Sequence, residues 1–274
     1  MVLRMTEPRT WIITGAGRGL GLALTDAVLG SGDVVVALTR SGTMPREHTR
    51  LHTLRADVSS REACFRAVED AIRLCGRVDV LVNNAGYGLV SAIEEVDETS
   101  ARDIVDTDLL GPLWLTQAVL PHLRRSGGGD IVQISSVGGV GAMAFFGLYN
   151  AAKWGLEGFS EALAGEVAPF GIRVTIAEIG AMDTQWATGS MRFAAPDPAY
   201  DDAREATLGT ATVPWPVEAT ATGGGTAPSD IAEHLLRHVD AGGGTPLRLV
   251  LGEDAHDQVA TVMNARALEY EAQR

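Results

Sequence analysis

The chain has 274 residues, 46% of them hydrophobic and 21% charged, with a formal net charge of −13. That is enough chain to bury a sizeable core as one α/β domain over 1–274. An acidic surface of this kind argues against nucleic acid and anionic membrane as partners.

Cys64 and Cys75 form neither a CxxC pair nor a zinc spacing. Both fall in one expected helix, on its buried side, and nothing calls for a disulfide, so a reducing cytosol is the expected compartment. Met1 to Arg9 lack the apolar centre of a signal peptide. The uncharged run from Ile131 to Ala152 is broken by Gln133, Ser135, Ser136, Asn150 and glycines, which excludes a transmembrane helix there.

Trp11-Ile12-Ile13 reads as a short buried strand. TGAGRGLG (Thr14 to Gly21) follows at once, and Leu20, Leu22, Ala23, Leu24, Ala27 and Val28 then make a helical face. A glycine-rich turn between strand and helix lets backbone N–H groups approach a pyrophosphate. Asp33 to Thr39 is a Val-rich strand ending in Thr39-Arg40. Dinucleotide folds put an acidic residue there for the ribose 2′-hydroxyl. This chain offers Arg40 instead, and Arg18 inside the glycine turn. Two guanidinium groups suit a 2′-phosphate, so NADP(H) is the expected cofactor rather than NAD(H).

Leu51 to Ala56 is a third strand closed by Asp57-Val58, and Ser59 with Glu62 predicts a capping box for the next helix. Val78 to Val82 is another strand, apolar apart from Asp79, and ends in Asn83-Asn84-Ala85-Gly86. Such strands alternating with helices predict a parallel sheet covered on both faces, with ligands beyond the carboxyl ends of its strands. Ser100 with Asp103 predicts the start of a helix running towards Leu123. Ile131 to Ile134 is a strand with Ser135-Ser136 at its end.

A helix then carries Tyr149-Asn150-Ala151-Ala152-Lys153, where positions four apart share a face. An ammonium beside a phenol favours the phenolate, so Tyr149 is expected to have a lowered pKa and to exchange a proton with a substrate oxygen. Ile172 to Ala177 is a sixth strand. From Gln185 to Pro228 prolines and glycines break any long element, while Trp186, Met191, Phe193 and Trp215 are scattered along it. This predicts a lid over 185–228. Asp230 to Val239 returns to helix and Leu247 to Leu251 to strand. His234 and His238 have the spacing of metal ligands, but no third ligand accompanies them, and no metal site is expected.

TGAGRGLG, NNAG, a serine thirteen residues before the tyrosine, and YNAAK stand in this order. Together they resemble the short-chain dehydrogenase/reductase family over Trp11 to about Leu251. LLGPLWLTQAVLPHLRR, IVQISSVGGVGA, WGLEGFSEAL and PLRLVLGEDA are most similar to its NADP-preferring branch of 17β-hydroxysteroid-dehydrogenase-like reductases. The resemblance implies a Rossmann-like, doubly wound sheet of about seven strands and an NADPH-dependent ketoreductase or alcohol dehydrogenase. Tyr149 would be the general acid or base, Lys153 would lower its pKa and hold ribose hydroxyls, and Ser136 would orient the substrate oxygen. Gly15, Gly19 and Leu20 would approach the pyrophosphate, with Gly17 and Arg18 in the same turn. Asp57 and Val58 would lie at the adenine, with Asn83, Ala85 and Gly86 on the adenosine side. Gly180, Met182 and Thr184 would complete the set, Thr184 at the nicotinamide amide. A homodimer or homotetramer through the helices of Asp108 and Tyr149 is also implied.

Three residues depart from the family pattern. Asp108 replaces an asparagine, and a carboxylate accepts hydrogen bonds without donating any. If buried, its pKa would rise; if charged, it would pair with Lys153. Ile179 replaces a proline and is expected to loosen the loop towards Thr184. Ala152 replaces a serine. Asp108 keeps a second function open, a cofactor-binding sensor or a non-redox enzyme on the same fold. The composition of the lid points to a bulky apolar carbonyl or alcohol as substrate.

Overall fold

The computed structural model describes residues 7–184, 189–215 and 224–274. Seven strands form one sheet in the order β3-β2-β1-β4-β6-β7-β9, every neighbouring pair parallel. They are β1 (Thr10–Thr14), β2 (Val34–Thr39), β3 (Leu51–Arg55), β4 (Val80–Asn83), β6 (Gly129–Ile134), β7 (Ile172–Ile179) and β9 (Arg248–Leu251). A parallel sheet buries both faces, which is why β1 and β4 are buried at every position. The pleat sends alternate residues to opposite sides. Trp11 and Ile13 meet α1 (Gly19–Gly30) and α7 (Pro228–Ala241) through Leu24, Val28, Ile231 and Leu235. Ile12 faces the other side, where α2 (Arg61–Cys75), α4 (Gly111–Ser126) and α5 (Gly147–Val167) bring Cys64, Leu115, Val119 and Leu163.

Strand order reverses between β1 and β4. Connections leave these strands in opposite directions, and a crevice opens beyond their carboxyl ends. A helix α3 (Glu98–Val105) runs into α4 through a widened π turn, Asp106–Leu110, and α8 (Ala255–Glu271) closes the chain. No described helix is long and apolar enough to cross a membrane.

Several local expectations shift. Ser60, not Ser59, caps α2 by accepting from Ala63 N, while Ser59 Oγ donates to Asp57 at 2.8 Å. Asp97 caps α3 by accepting from Ser100 N at 2.8 Å, so Ser100 lies inside the helix. Cys64 is buried and its thiol is pushed up to about 12, chiefly by burial; Cys75 is only half-buried. The stretch expected to be irregular contains β8 (Met191–Phe193), which pairs with β5 (Gly88–Val90), and a helix α6 (Asp201–Leu208). Ile179 does not loosen its loop. It extends β7 in register with Leu251, and the next amide, Gly180 N, donates to Leu251 O at 2.9 Å.

Candidate active site

The glycine turn is built by close backbone approach. Gly15 has φ +62°, and a Cβ there would stand 3.0 Å from Ala85 Cα. A Cβ on Gly21 would overlap Gly15 O. Both positions need glycine for a stated reason, left-handed backbone at the first and lack of room at the second. Helix α1 follows with no side-chain cap on its first turn, so its leading N–H groups are available to an anion. Thr14 Oγ1 accepts from Asn84 N at 2.9 Å and Ala85 N at 2.8 Å, tying this turn to the end of β4.

Asn84 lines the crevice. The side chain of Asn83 does not: its amide is spent in the interior on Gln133 Oε1 at 2.9 Å and Thr116 Oγ1 at 3.3 Å. The expectation for Asn83 is therefore corrected, because successive residues at a strand end point to opposite faces.

The crevice encloses about 1730 Å³. Gly15, Gly17, Arg18, Gly19, Leu20, Arg40, Asp57, Val58, Ala85 and Gly86 line one part of it. Asp108, Ser136, Tyr149 and Lys153 line the centre, with Gly180, Met182 and Thr184 opposite. Every other candidate residue thus reaches one cavity. Arg18 Nη2 also donates to Ser190 Oγ at 2.8 Å, crossing to the lid side.

At the centre, Tyr149 and Ser136 both border Gly138, the Ser136 hydroxyl holds the phenol's pKa down, and Ser136 Oγ accepts from Gly138 N at 3.1 Å. Lys153 Nζ lies 5.8 Å from the Tyr149 ring centre and donates to Ile134 O at 3.0 Å. It stands 3.5 Å from Asp108 Oδ2. Asp108 is fully buried and accepts from Tyr87 N at 3.1 Å. Burial pushes its carboxyl up to about 6, opposed by Lys153 and by that backbone bond. Gly86 leaves room for it, since a Cβ there would come within 2.7 Å of Oδ2.

The phenol departs from expectation. Burial raises the Tyr149 pKa, and the Lys153 charge and the Ser136 hydroxyl lower it without restoring the ordinary value. The expected sign of the lysine's effect is right, but desolvation is larger. Spacing along a helix reveals the neighbour and not the solvent.

Sequence reasoning also missed Asn150, in the middle of YNAAK. Its Nδ2 donates to Gly138 O at 2.9 Å and its Oδ1 accepts from Met143 N at 3.3 Å, holding the loop after Ser136. His234 Nδ1 lies 2.7 Å from Asp230 O on its own helix, whereas His238 is buried with Nε2 3.0 Å from Thr175 Oγ1.

Beside the Tyr149 ring, Phe193 and Trp215 pack edge to face at 4.8 Å, in a cluster with Val90, Phe145, Phe146, Met191 and Tyr149. Trp186 lies outside the described residues. A side chamber of about 430 Å³, lined by Met143, Phe146, Leu208 and Trp215, adjoins the crevice. Arg204 on α6 is buried against Glu95, with Nη1 2.5 Å from Oε1, and pins this segment to the core.

The short chain dehydrogenase family matches residues 9–193. This chain belongs to that family. An oxidoreductase of Botryotinia fuckeliana (BOA17) is 36% identical over 90% of each chain. Human 17-beta-hydroxysteroid dehydrogenase type 1 is 37% identical over 49% of this chain and 40% of its own length. A solved short-chain dehydrogenase from Streptomyces avermitilis superposes with a TM-score of 0.84 at 35% identity, covering 96% of both chains. The protein is a short-chain dehydrogenase/reductase by sequence and by fold, and hence an oxidoreductase of CH–OH and C=O groups with a crevice for a nicotinamide cofactor.

Proposed function

We propose that this dehydrogenase reduces the carbonyl group of a bulky apolar small molecule with NADPH. The observation that carries the reading is the juxtaposition of Ser136, Tyr149 and the Lys153 ammonium at the centre of the dinucleotide crevice. The residues fit the cofactor. The uncapped start of α1 and the glycine turn suit the pyrophosphate, and Arg18 and Arg40 suit the 2′-phosphate.

Reduced nicotinamide, when bound, supplies the hydride to the carbonyl carbon. Ser136 Oγ orients the carbonyl oxygen by hydrogen bonding, and Tyr149 gives that oxygen its phenolic proton. A pKa raised by burial suits this direction, because the phenol stays protonated at neutral pH and is a competent donor. Lys153 then lies close enough to stabilise the phenolate left behind. The side chamber and the Phe193–Trp215 wall favour rings or hydrocarbon chains next to the carbonyl. Self-association through α4 and α5 belongs to the same reading, with Trp154 on α5 43% exposed.

A second reading keeps the cofactor without turnover. It is favoured by the Asp108 carboxylate, which competes with Tyr149 for the lysine charge at 3.5 Å. One assay separates the two. Purified protein is followed for NADPH consumption against a panel of polycyclic, long-chain and small ketones. The expected outcome is turnover of the bulky apolar ketones, falling by roughly 10²–10⁴-fold in Tyr149→Phe with NADPH affinity retained. Binding without turnover across the panel would replace the first reading with the second.

A further inference from the structure

Behind the catalytic face lies a polar cluster that the chemistry above does not use. Glu157 sits four residues past Lys153 on α5, so it shares a face with Lys153 and Tyr149. It is 6% exposed, and Ser135 Oγ donates to its Oε1 at 2.6 Å. Ser135 is the residue before Ser136, and its own amide is fixed by Ala177 O at 2.9 Å. The loop that follows is packed onto this bond. A Cβ on Gly139 would overlap both Glu157 Oε1 and Ser135 Oγ, and Gly139 N donates to Ser136 O at 2.7 Å.

The remaining neighbours of Glu157 do not account for its placement. Glu178 on β7 and Glu161 on α5 share one guanidinium with it, that of Arg248 on β9. Arg248 Nε is 3.1 Å from Glu178 but 3.8 Å from Glu157, and Arg248 Nη2 is 2.8 Å from Glu161. The hydroxyl of Ser135 is the close donor to the Glu157 carboxylate. A buried carboxylate among other carboxylates is held at a cost in desolvation, so its geometry with Ser135 is strongly determined.

We propose that Glu157 is a positioning residue, bolting the Ser135–Ser136 loop to the helix of Tyr149 and so setting the Ser136–Tyr149 contact. The inference rests on the reading of Ser136 and Tyr149 given above. Ser136 reaches the site from the end of β6 and Tyr149 from α5, and Glu157 joins these two elements directly behind the reacting atoms. A catalytic contact between separate elements is only as constant as the bond that holds the elements together.

The test uses the full chain as wild type, Glu157→Ala, Glu157→Gln and Ser135→Ala, each also combined with Ser136→Ala. Two quantities are read: kcat and KM for NADPH with a ketone substrate, and the Tyr149 titration by tyrosinate absorbance, with Tyr149→Phe as the subtraction. Glu157→Ala and Ser135→Ala are expected to lower kcat about tenfold with KM for NADPH nearly unchanged. Glu157→Gln keeps an acceptor for Ser135 and retains most of the rate. In the Ser136→Ala background the Glu157 change adds almost nothing, whereas a merely structural role would subtract the same factor in both backgrounds. The Tyr149 pKa should rise further in Glu157→Ala, because the Ser136 hydroxyl that lowers it is loosened.

Additive losses, or a wild-type Tyr149 titration in both Glu157→Ala and Ser135→Ala, would overturn the proposal. Should Glu157→Ala not fold, Ser135→Ala decides the matter, since it cuts the same bond and leaves the carboxylate cluster in place. The titration needs no turnover. A wild type inert towards every ketone would defeat the functional reading, while the tyrosinate curve would still judge Glu157.

Discussion

The two walls of the crevice are held by different forces. The cofactor wall is backbone laid on buried strands: Gly15, Thr14 and Asn84 are locked to one another, and β1, β2 and β4 behind them are nearly all hidden from solvent. The opposite wall, residues 189–215, which we propose faces the substrate, has one short backbone pairing, β8 with β5, and is otherwise hung from side chains. Arg204 binds Glu95 and Asp201, Tyr200 Oη donates to Glu94 at 2.6 Å, and Arg192 pairs with Asp103 at 3.0 Å. A backbone frame cannot be retuned by one substitution without disturbing the sheet. A wall hung on ion pairs can be moved one residue at a time, and specificity is free to change while the cofactor site stays fixed.

The sharpest way to break that asymmetry is Arg204→Met. It leaves Glu95 its two backbone donors, Ala92 N at 2.7 Å and Asp197 N at 2.8 Å, but removes its charged partner, at a local cost of roughly 1.5–3 kcal/mol. The expected result is faster hydrogen exchange across 189–215 and a raised KM for the ketone, with the NADPH Kd little changed. An equal loss of NADPH affinity would show that the walls are not independent.

Asp108 lies between the two walls and gives the next effect. Its folded pKa of about 6 stands above the ordinary 3.8. The fold therefore binds this proton more tightly than the unfolded chain does. That contribution is present in full below the unfolded value and is lost as pH rises through the folded one. Above it, ionised Asp108 destabilises by up to about 3 kcal/mol. Asp108→Asn keeps an oxygen for Lys153 and Tyr87 N, so urea unfolding should show a gain at neutral pH that vanishes in acid. The same change removes a charge that raises the Tyr149 pKa, so the pH profile of turnover should shift downwards. An unchanged profile would remove Asp108 from the mechanism.

The smallest test sharpens the cofactor wall. Arg40→Asp should lose charge-assisted bonds of roughly 1.5–3 kcal/mol each and turn preference from NADPH towards NADH. NADPH affinity surviving that change would rule out Arg40 as the 2′-phosphate ligand.

The sheet was legible because a strand buried on both faces must be apolar, and Trp11 to Ile13 and Val80 to Val82 are. The candidate residues were legible through spacing around strand ends. What escaped depended on the third dimension. Asn83 and Asn84 are alike in the chain and differ only in which side of the sheet they face. Tyr149 shows its lysine in sequence but not the desolvation that outweighs it. The helix Asp201–Leu208 was hidden among prolines, and its tie to Glu95 spans more than a hundred residues. Glu157 reads as an ordinary charge on a long helix until Ser135 is placed beside it.

The π turn at Asp106–Leu110 has a consequence for how this site can be altered. An α-helix advances about 100° per residue, so the extra residue accommodated by the wider winding decides which side chain at this point swings inward. Removing one residue there would restore regular winding and rotate position 108 away from Lys153, whatever amino acid it held. The chemistry at that corner is thus set by a count of residues before it is set by their identity, and a deletion would do what no single substitution can.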